Sequence, residues 1–482
     1  MKTHFQLSES LQIPRVVIGL WQIADMERHG ETLDPAATAH FMQPYNEAGF
    51  TAFDMADHYG SSEIIAGTFK NNSSDPDSIQ LFTKWVPKPG KITLTTVREA
   101  VNSALERMGQ KSIDLMQFHA WHYPDPNWID ALFYLDELRK EGLIKNIGVT
   151  NFDAPHLRIA LASGIPIVSN QVAHSVIDCR ARKEMAEVCN EYGVKLLAYG
   201  TLAGGFLSDK WLGKPEPEMD SLTTWSQMKY KRFIDAVGGW SMFQDILKVL
   251  DSIAKKHETS IANIASRYML ENQHVAAVII GARLGERNHI RDHREMLNIE
   301  FDPEDIDRIR EVQGPLQPVP GDCGDEYRKP PFLTASGDLS HHLETIPPVF
   351  DAVQTGPDRH QVFSGTPWEW FAGYSRAVRK GNSIFVSGTT ATHGDLRIGG
   401  LDPAAQAHYI IDKIEGAIAS LGGSLNDVVR TRIFVHDLEH WEAVARAHGK
   451  RFDGINPANT LVQGKLVGEG YLVEIEAEAR LD

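Results

Sequence analysis

The stretch "FTAFDMADHYGSSE", residues 50–63, places Asp54, His58 and Tyr59 at the end of a short apolar run. The run itself, 50–56, has the length and composition of a strand that enters a buried place. Two interpretations are open for the polar residues that follow. They form either a loop after a core strand or one half of an active site, and the pattern of the rest of the chain is needed to choose.

Seven further runs of the same kind occur in the first 300 residues and alternate with longer amphipathic patterns that are typical of helices. Strands that alternate with helices imply parallel pairing through crossover connections, and eight such strands close a (β/α)8 barrel. The long gap at 203–275 has room for an excursion followed by two helices. The eight predicted strands are 15–21, 50–56, 79–85, 113–120, 144–151, 166–172, 195–202 and 276–282.

The composition of the chain changes after residue 314. Residues 315–357 are rich in Pro, Gly and Asp without periodicity, which predicts a linker. Residues 358–482 combine a strand pair around "KGN" (380–382), a helix that begins after Asp402, and the alternating strand 471–481. The sequence therefore predicts an α/β protein: a barrel domain over 1–314, followed by an α+β domain over 358–482.

Charge and cysteine content exclude several classes of function. The chain has 482 residues and a formal net charge of −16, which argues against nucleic acids and anionic membranes as main partners. Its three cysteines form no CxxC pair, so we expect neither a zinc ribbon nor a disulfide framework. No run approaches the ~18 apolar residues of a membrane span, and no signal peptide is visible. A cytoplasmic location is expected.

Polar side chains follow three successive predicted strands. Active sites of (β/α)8 barrels lie at the carboxyl ends of the strands. Asp54 and Tyr59 follow the second strand, Lys84 ends the third, and His119 ends the fourth. A lysine at the end of an apolar strand needs a counter-ion, which Asp54 supplies. The alternative is a buried structural ion pair with a histidine at the barrel rim.

These residue types together suit the proton-transfer step of carbonyl reduction. A free tyrosine has a pKa of about 10, and a neighbouring ammonium group stabilises the phenolate and lowers that pKa. Such a phenol can protonate an alkoxide as it forms, while an imidazole donates a hydrogen bond to the substrate oxygen. No side chain can supply a hydride, so the reaction requires a cofactor.

Eight segments, in this order, carry a resemblance to a known family: "IGLWQIA", "FDMADHYGSSE", "FTKW", "DLMQFH", "IGVTNFD", "SNQV", "LLAYGTLAGGFLS" and "VIIGARLGE". On these segments the chain resembles the aldo-keto reductases over about residues 5–314. The resemblance implies a catalytic tetrad of Asp54, Tyr59, Lys84 and His119. It also implies that Tyr59 is the general acid and that NADP(H) is the cofactor.

The same resemblance assigns cofactor contacts, although no GxGxxG motif follows a strand. It implies an extended dinucleotide across the barrel mouth. Arg283 and Arg287 are the candidates for its 2′-phosphate, the alternative being a solvated loop. Asp292 and His293 stand where relatives have an acidic residue and an adenine-binding asparagine. The other implied contacts are Thr150, Asn151 and Gln171 with the carboxamide, Tyr199 stacked on the nicotinamide, and Trp21, Gly200 and Leu202 along the cleft.

The C-terminal part resembles the RidA (YjgF) family through "GYSRAVRKGNSIFVSG", "DVVRTRIFVHD" and "NPANTLVQGKLVGEGYLVEIEAEA". The resemblance implies trimers with clefts between subunits. Asn459 stands where members with enamine/imine deaminase activity carry an arginine, which disfavours that activity here. A polar sheet face in a scaffold is the alternative to a ligand site. The residues implied to line the cleft are Tyr374, Ser387, Gly388, Asn459 and Glu476.

The sequence thus predicts an NADPH-dependent reductase of a small carbonyl compound or imine, joined to a RidA-like module. That module is expected to support trimerisation, giving a trimer or hexamer, or to bind a ligand. Two alternatives belong to other classes: a deaminase with an accessory reductase, and a non-catalytic protein that senses the cofactor. Substrate specificity is expected to lie in loops such as 121–128 and 208–232, whose sequences do not reveal the substrate.

Overall fold

The computed structural model describes residues 3–25, 27–28, 30, 32–329 and 340–482. An antiparallel hairpin of β1 (His4–Ser8) and β2 (Leu11–Pro14) comes first and was absent from the sequence prediction. Its Leu7, Leu11 and Ile13 are buried against side chains of the barrel interior. Gln80 at the start of a barrel strand donates to the carbonyl of Gln12 at 2.6 Å, so the hairpin closes the amino-terminal end of the barrel.

Eight parallel strands form a closed barrel in which each strand neighbours the next along the chain. The last strand pairs with the first in parallel register and completes the closure. The predicted (β/α)8 fold is therefore confirmed, and every strand overlaps its predicted run. The strands are β3 (Val16–Gly19), β4 (Ala52–Asp54), β5 (Gln80–Trp85), β6 (Leu115–His119), β7 (Ile147–Thr150), β8 (Ile167–Ala173), β9 (Lys195–Tyr199) and β10 (Val275–Gly281).

Helices surround the barrel, and several begin with a side-chain cap. Thr93, for example, accepts a hydrogen bond from the amide of Thr96 and so starts the fourth helix. The helices are α1 (Pro35–Ala39), α2 (Gln43–Glu47), α3 (Ser62–Asn72), α4 (Leu94–Met108), α5 (Asn127–Lys140), α6 (Ala154–Ala162), α7 (Glu184–Tyr192), α8 (Trp225–Ala236), α9 (Gly239–Lys256), α10 (Ile261–Met269), α11 (Ile290–Asn298) and α12 (Pro303–Gln313). Within the gap at 203–275, α8 adds a helix to the two that the sequence predicted.

The first part of the predicted linker folds back over the barrel mouth. It contains a one-turn helix, α13 (Asp325–Arg328), in which Asp325 and Glu326 are buried. Arg180 of the barrel donates to the Glu326 carboxylate at 2.7 Å, and this buried ion pair fixes the segment. Composition alone predicted a linker, because charged residues that pair with a distant part of the chain show no periodicity. Residues 330–339 of the predicted linker lie outside the described residues.

The C-terminal domain has a seven-stranded sheet in the order β11-β12-β13-β14-β19-β17-β18, in which only β17 and β18 pair in parallel. The hairpin around "KGN" and the alternating last strand are as predicted, whereas the first hairpin and β18 were missed. The elements are β11 (Val353–Gly356), β12 (Arg359–Val362), α14 (Pro367–Ala372), β13 (Ala377–Lys380), β14 (Ser383–Thr389), β15 (Thr392–His393), β16 (Leu396–Arg397), α15 (Pro403–Ser420), β17 (Val428–Val435), α16 (Trp441–Arg451), β18 (Ala458–Gln463) and β19 (Val473–Arg480).

The two domains pack against each other through α6 of the barrel and α15 of the C-terminal domain. Asp402, the cap of α15, binds Arg158 and accepts a hydrogen bond from the Tyr192 hydroxyl at 2.7 Å. His393 lies 2.7 Å from Asp130 of α5. These contacts join the domains directly, rather than through the connecting segment alone.

No helix among the described residues is long and apolar enough to cross a lipid bilayer.

Candidate functional site

A cavity of about 380 Å³ opens at the carboxyl ends of the barrel strands. The topology that places this end of every strand on one rim also brings together the four residues predicted as a tetrad. All four line the cavity, together with cleft residues that the sequence singled out. Asp54, Lys84 and His119 are almost completely buried, whereas Tyr59 is partly exposed to the cavity.

An ion pair between Lys84 and Asp54 lies beneath the cavity floor. Lys84 Nζ is 2.5 Å from Asp54 Oδ2 and donates a second hydrogen bond to the carbonyl of Met55 at 2.7 Å. The other carboxylate oxygen, Oδ1, accepts from Gln117 Nε2 at 2.9 Å and from Gln171 Nε2 at 2.7 Å. Each ion is therefore held by at least two hydrogen bonds, which offset the cost of burying it.

Tyr59 lies next to the ammonium group of Lys84. Lys84 Nζ is 4.9 Å from the centroid of the phenol ring, over its face. Burial raises the pKa of Tyr59 above its ordinary value, and the charge of Lys84 lowers it by a smaller amount. The sequence argument had the direction of the lysine effect right, but it omitted burial, which outweighs that effect. The phenol consequently keeps its proton at neutral pH.

His119 presents a neutral imidazole to the cavity. Burial lowers the pKa of His119 to about 3, and the positive charge of Arg328 acts in the same direction. Among the described residues, none hydrogen-bonds its buried Nε2 atom. The ring packs edge-on against Trp121, with 4.4 Å between centroids, which fixes its orientation. A polar atom of a bound molecule can therefore pair with Nε2.

The residues predicted to hold a carboxamide form a connected cluster. Tyr199 donates its hydroxyl hydrogen to Asn151 Oδ1 at 2.7 Å, and the Asn151 amino group, which has no hydrogen-bond acceptor among the described residues, can act as a donor. Gln171 uses its amino group on Asp54 and Gln117, so its Oε1 atom is left as an acceptor. Thr150 is anchored by a hydrogen bond from its hydroxyl to the Gln171 carbonyl at 3.2 Å. One donor and one acceptor match the two ends of an amide.

The remaining predicted cofactor residues lie along the same cavity. Trp21 packs edge-on against Tyr59 with ring centroids 5.0 Å apart. Gly200 has a left-handed backbone, and a Cβ atom there would lie 1.9 Å from the Tyr230 hydroxyl, so only glycine fits. Leu202, Arg283 and Arg287 also line the cavity.

His293 takes no part in the cavity lining. Its ring is buried edge-on against Phe50, with 5.4 Å between centroids, and burial lowers the pKa of His293 to about 4. The neighbouring Asp292 pairs with His289 at 2.9 Å. At position 293 this chain therefore has a histidine that packs in the core.

Lys229 and Tyr327 are among the residues of the cavity wall that sequence reasoning did not single out. Tyr327 comes from the predicted linker, and its hydroxyl lies 3.3 Å from that of Tyr199 and 2.6 Å from Lys229 Nζ. The Tyr327 ring is 5.9 Å from the His119 ring. No local motif marks either residue, so the sequence offered no signal for them.

The structure divides the residues implied for the C-terminal cleft between the two faces of the sheet. Glu476 lies on the exposed face, paired with Arg432. Asn459 points to the helix-covered face, where it donates to the buried Thr431 hydroxyl at 2.9 Å. On the neighbouring strands, Ser387 donates to the carbonyl of Ser375 at 2.9 Å, and the Tyr374 hydroxyl and the Gly388 carbonyl both contact Arg376. Within one chain, Asn459 and Glu476 do not share a site.

A model of the aldo/keto reductase family matches residues 15–313, and the chain belongs to that family. The protein is an NAD(P)H-dependent oxidoreductase whose barrel is fused to a YjgF/RidA-type domain, since an endoribonuclease L-PSP family model matches residues 368–481. A solved structure of a thermostable aldo-keto reductase has the same barrel fold, with a TM-score of 0.50, 23% identity, and coverage of 64% of this chain and 100% of that one.

Three curated proteins illustrate the range of relatives. The flagellar radial spoke protein 5 of Chlamydomonas reinhardtii is 27% identical over 46% of this chain, which spans only 50% of that protein's length. The NADH-specific methylglyoxal reductase of Escherichia coli (strain K12) is 23% identical over 64% of this chain and 97% of its own length. An uncharacterised protein of Streptomyces coelicolor is 40% identical over 25% of this chain and 90% of its own length.

We predict that His119 does not titrate between about pH 5 and about pH 8, because burial holds the imidazole neutral. NMR of protein labelled with ¹⁵N-histidine checks this, with the His119→Asn variant used to assign the signal. The expected ¹⁵N shifts are those of a neutral ring throughout the range. A His119 signal that moves toward imidazolium shifts within this range would contradict the burial argument.

Proposed function

We propose that the protein is an NADPH-dependent reductase of small aldehydes, ketones or imines in which Tyr59 donates the proton. The observation that carries the proposal is the contact of the Tyr59 phenol with the Lys84 ammonium, itself held by Asp54. The bound nicotinamide supplies the hydride, which no side chain can provide. The matching family model supports a reductase, and the tetrad supplies its acid.

The proton transfer follows from the charges around Tyr59. In the reduction direction the phenol must be protonated, and its raised pKa keeps it so. As negative charge develops on the substrate oxygen, the Tyr59 O–H donates its proton there. Lys84 then stabilises the phenolate that remains, and Asp54 keeps Lys84 in place and charged. His119 lines the same cavity, and its Nε2 atom, which has no partner among the described residues, orients the substrate's polar group.

The residues of the cleft fit a nicotinamide dinucleotide. The free amino group of Asn151 and the free Oε1 atom of Gln171 suit the carbonyl and the amino group of its carboxamide. Arg283 and Arg287 lie at the far end, after β10, where two guanidinium groups favour the additional phosphate of NADPH. The relative with an NADH-specific name is only 23% identical, so the arginine pair carries our proposal of NADPH.

The Tyr59→Phe variant should lose about 10²- to 10⁴-fold in kcat for reduction, because it keeps the ring and removes only the acid. NADPH affinity should stay within about twofold of wild type, since the hydroxyl makes no contact assigned to the cofactor. Tyr134→Phe is the matched control, because Tyr134 lies on α5 outside the cavity. Equal activities of the two variants would rule out Tyr59 as the acid.

The substrate class is tested in the same assay with matched pairs of carbonyl compounds and cyclic imines. Fusion to a YjgF/RidA-type domain is the reason for including imines. Imine nitrogen takes up a proton from water far more readily than carbonyl oxygen, so imines should lose less activity in Tyr59→Phe than carbonyls do. Turnover of carbonyl compounds alone would remove imines from the proposal.

Cofactor choice should depend on Arg283 and Arg287. The double variant Arg283→Ala/Arg287→Ala is expected to lower the ratio of kcat/KM for NADPH over NADH by about 10- to 100-fold, through loss of charge-assisted contacts with the 2′-phosphate. Arg291→Ala is the control, because Arg291 belongs to the following helix, pairs with Glu295 and lies outside the cavity. An unchanged ratio in the double variant would place the phosphate elsewhere.

Two other functions have less support. A non-catalytic cofactor sensor would not need a tetrad whose ions are all partnered beside an available phenol. Deaminase activity of the RidA type would need a carboxylate-binding cation at position 459, whereas Asn459 is neutral and occupied by Thr431. We therefore assign the chemistry to the barrel.

For the C-terminal domain we propose homotrimerisation, or a hexamer built from trimers. Support comes from its family, and from an uncovered sheet face that carries Phe385 and Val462. The registers of β14, β19, β17 and β18 place these two residues on the same face as the Arg432–Glu476 pair. The strand β18 is also an open edge of the sheet, which in a monomer exposes unpaired backbone groups.

Negative charges introduced at the apolar residues of the uncovered face should dissociate the oligomer. We expect Phe385→Glu/Val462→Glu to run as a monomer in light scattering, because burying two added carboxylates in an interface is costly. Leu396→Glu is the control, since Leu396 is similarly exposed but belongs to the separate two-stranded sheet. A mass equal to that of wild type in the double variant would show that this face is not the interface.

A further inference from the structure

The closing segment, residues 321–329, lies across the barrel mouth and forms part of the cavity wall. Its Tyr327 lines the cavity beside Tyr199 and His119. Its approach to the barrel is close: a Cβ atom on Gly324 would lie 2.0 Å from the Asn151 carbonyl oxygen. Only glycine permits this contact, so Gly324 allows the segment to pack directly against the loop that follows β7.

Arg328 of the closing segment binds two active-site loops at once. Its Nη1 donates to the carbonyl of Ala120 at 3.3 Å, and its Nη2 donates to the carbonyl of Asn151 at 2.8 Å. Ala120 directly follows His119, and Asn151 is the residue proposed to bind the carboxamide. A planar guanidinium is suited to joining two carbonyl groups in a fixed geometry. One side chain thus ties the loop after β6 to the loop after β7.

The C-terminal domain holds the closing segment directly through Lys450 of α16. Lys450 Nζ lies 2.5 Å from Asp322 Oδ2, within the segment, and also pairs with Glu184 of α7. The Asp322 backbone amide in turn donates to Asp325 Oδ2 at 2.8 Å, in the one-turn helix that carries Arg328. A contact between domains therefore ends at Asp322, five residues before Tyr327 of the cavity wall.

A second connection runs through a stack of side chains at the domain interface. Asp412 of α15 lies 3.0 Å from His156 Nε2, and Asp153 lies 2.6 Å from His156 Nδ1. The His156 ring stacks on Tyr123 with centroids 3.4 Å apart and planes 4° from parallel. The guanidinium of Arg328 lies over the same Tyr123 ring, 4.6 Å from its centroid.

We propose that Arg328 is a positioning residue for the active-site rim, and that the C-terminal domain secures it through Asp412 and Lys450. The C-terminal domain then does more than assemble subunits: its docking holds the loops that carry His119 and Asn151. The kinetic part of this inference rests on the proposed reductase function, whereas its structural part does not.

The buried charges at the interface explain why Asp412 matters. Burial alone would lower the pKa of His156, but Asp153 and Asp412 raise it above its ordinary value. His156 is thus an imidazolium held between two carboxylates, and Asp412 is further bound by Arg451 at 2.5 Å. Removing the charge of Asp412 leaves a buried cation with one partner fewer, which loosens the stack on Tyr123.

The test compares three variants of the full-length chain. Asp412→Asn and Lys450→Gln break the two connections, while Asp402→Asn removes the carboxylate that caps α15, whose partners among the described barrel residues are Arg158 and Tyr192. The replacement in Asp402→Asn keeps the helix cap, so it is a matched control. Lys450 is at the surface, so Lys450→Gln is expected to fold even if Asp412→Asn does not.

Hydrogen exchange measures the rim without any need for turnover. Asp412→Asn and Lys450→Gln should speed exchange about tenfold or more at 120–126, 151–153 and 321–329, whereas Asp402→Asn should leave these segments unchanged. The dissociation constant of NADPH, followed by tryptophan fluorescence because Trp21 and Trp121 line the cavity, should rise about fivefold or more in the first two variants only. If exchange rates and the NADPH dissociation constant were the same as in wild type for all three variants, the proposal would be overturned.

Arg328→Lys separates geometry from charge. Lysine keeps the positive charge but loses the planar fork, so we expect NADPH binding and kcat/KM for 4-nitrobenzaldehyde to fall about tenfold. Combined with Asp412→Asn the losses should be non-additive, whereas with Asp402→Asn they should add. Additive losses in both double variants would overturn the proposed coupling between Asp412 and Arg328. If exchange changes as predicted but Tyr59→Phe is fully active, the proposed function fails and this inference stands.

Discussion

The ion pair between Lys84 and Asp54 is the constraint on which the rest of the site depends. It lies in the barrel interior, where two charges persist only if each is hydrogen-bonded, and Gln117, Gln171 and the Met55 carbonyl complete their partners. The hydrogen bond to Asp54 also fixes the side-chain amide of Gln171. The Oε1 atom of Gln171 then remains as an acceptor for the cleft. The same pair places an ammonium beside Tyr59. One buried charge pair therefore orders both the proposed acid and the proposed carboxamide site.

A second feature of the architecture is the closure of the barrel mouth by a segment from outside the barrel. Arg180 and Glu326 pair where neither is exposed, so the segment is held by a charge pair rather than by apolar packing alone. Lys450 reaches the same segment from the C-terminal domain. The cavity wall is thus formed by the barrel and the closing segment, and the C-terminal domain contacts that segment from outside the cavity.

The barrel could be predicted because its signal is local and repeated: each strand is a short apolar run, and the polar residues at strand ends fall on one rim. Asp54, Tyr59, Lys84 and His119 follow from that rule. Tyr327, Lys229 and Arg328 could not be found, because their significance comes from contacts between distant segments. The pKa of Tyr59 was misjudged for a related reason, since burial is a property of the fold and no sequence pattern states it. The separation of Asn459 from Glu476 on two sheet faces depends on strand register, which the sequence also left open.

The most direct test of the central claim is the pH dependence of kcat/KM for carbonyl reduction, from about pH 5 to about pH 11. Tyr59, whose pKa lies above its ordinary value of about 10, is protonated and can donate at every lower pH. Its contribution is lost as the pH rises through this raised pKa. The account predicts a flat profile through neutral pH with a single falling limb on the alkaline side, which Tyr59→Phe removes. A falling limb near the ordinary pKa of histidine, about 6.5, that disappears in His119→Asn would instead make the imidazole the proton donor and contradict the account.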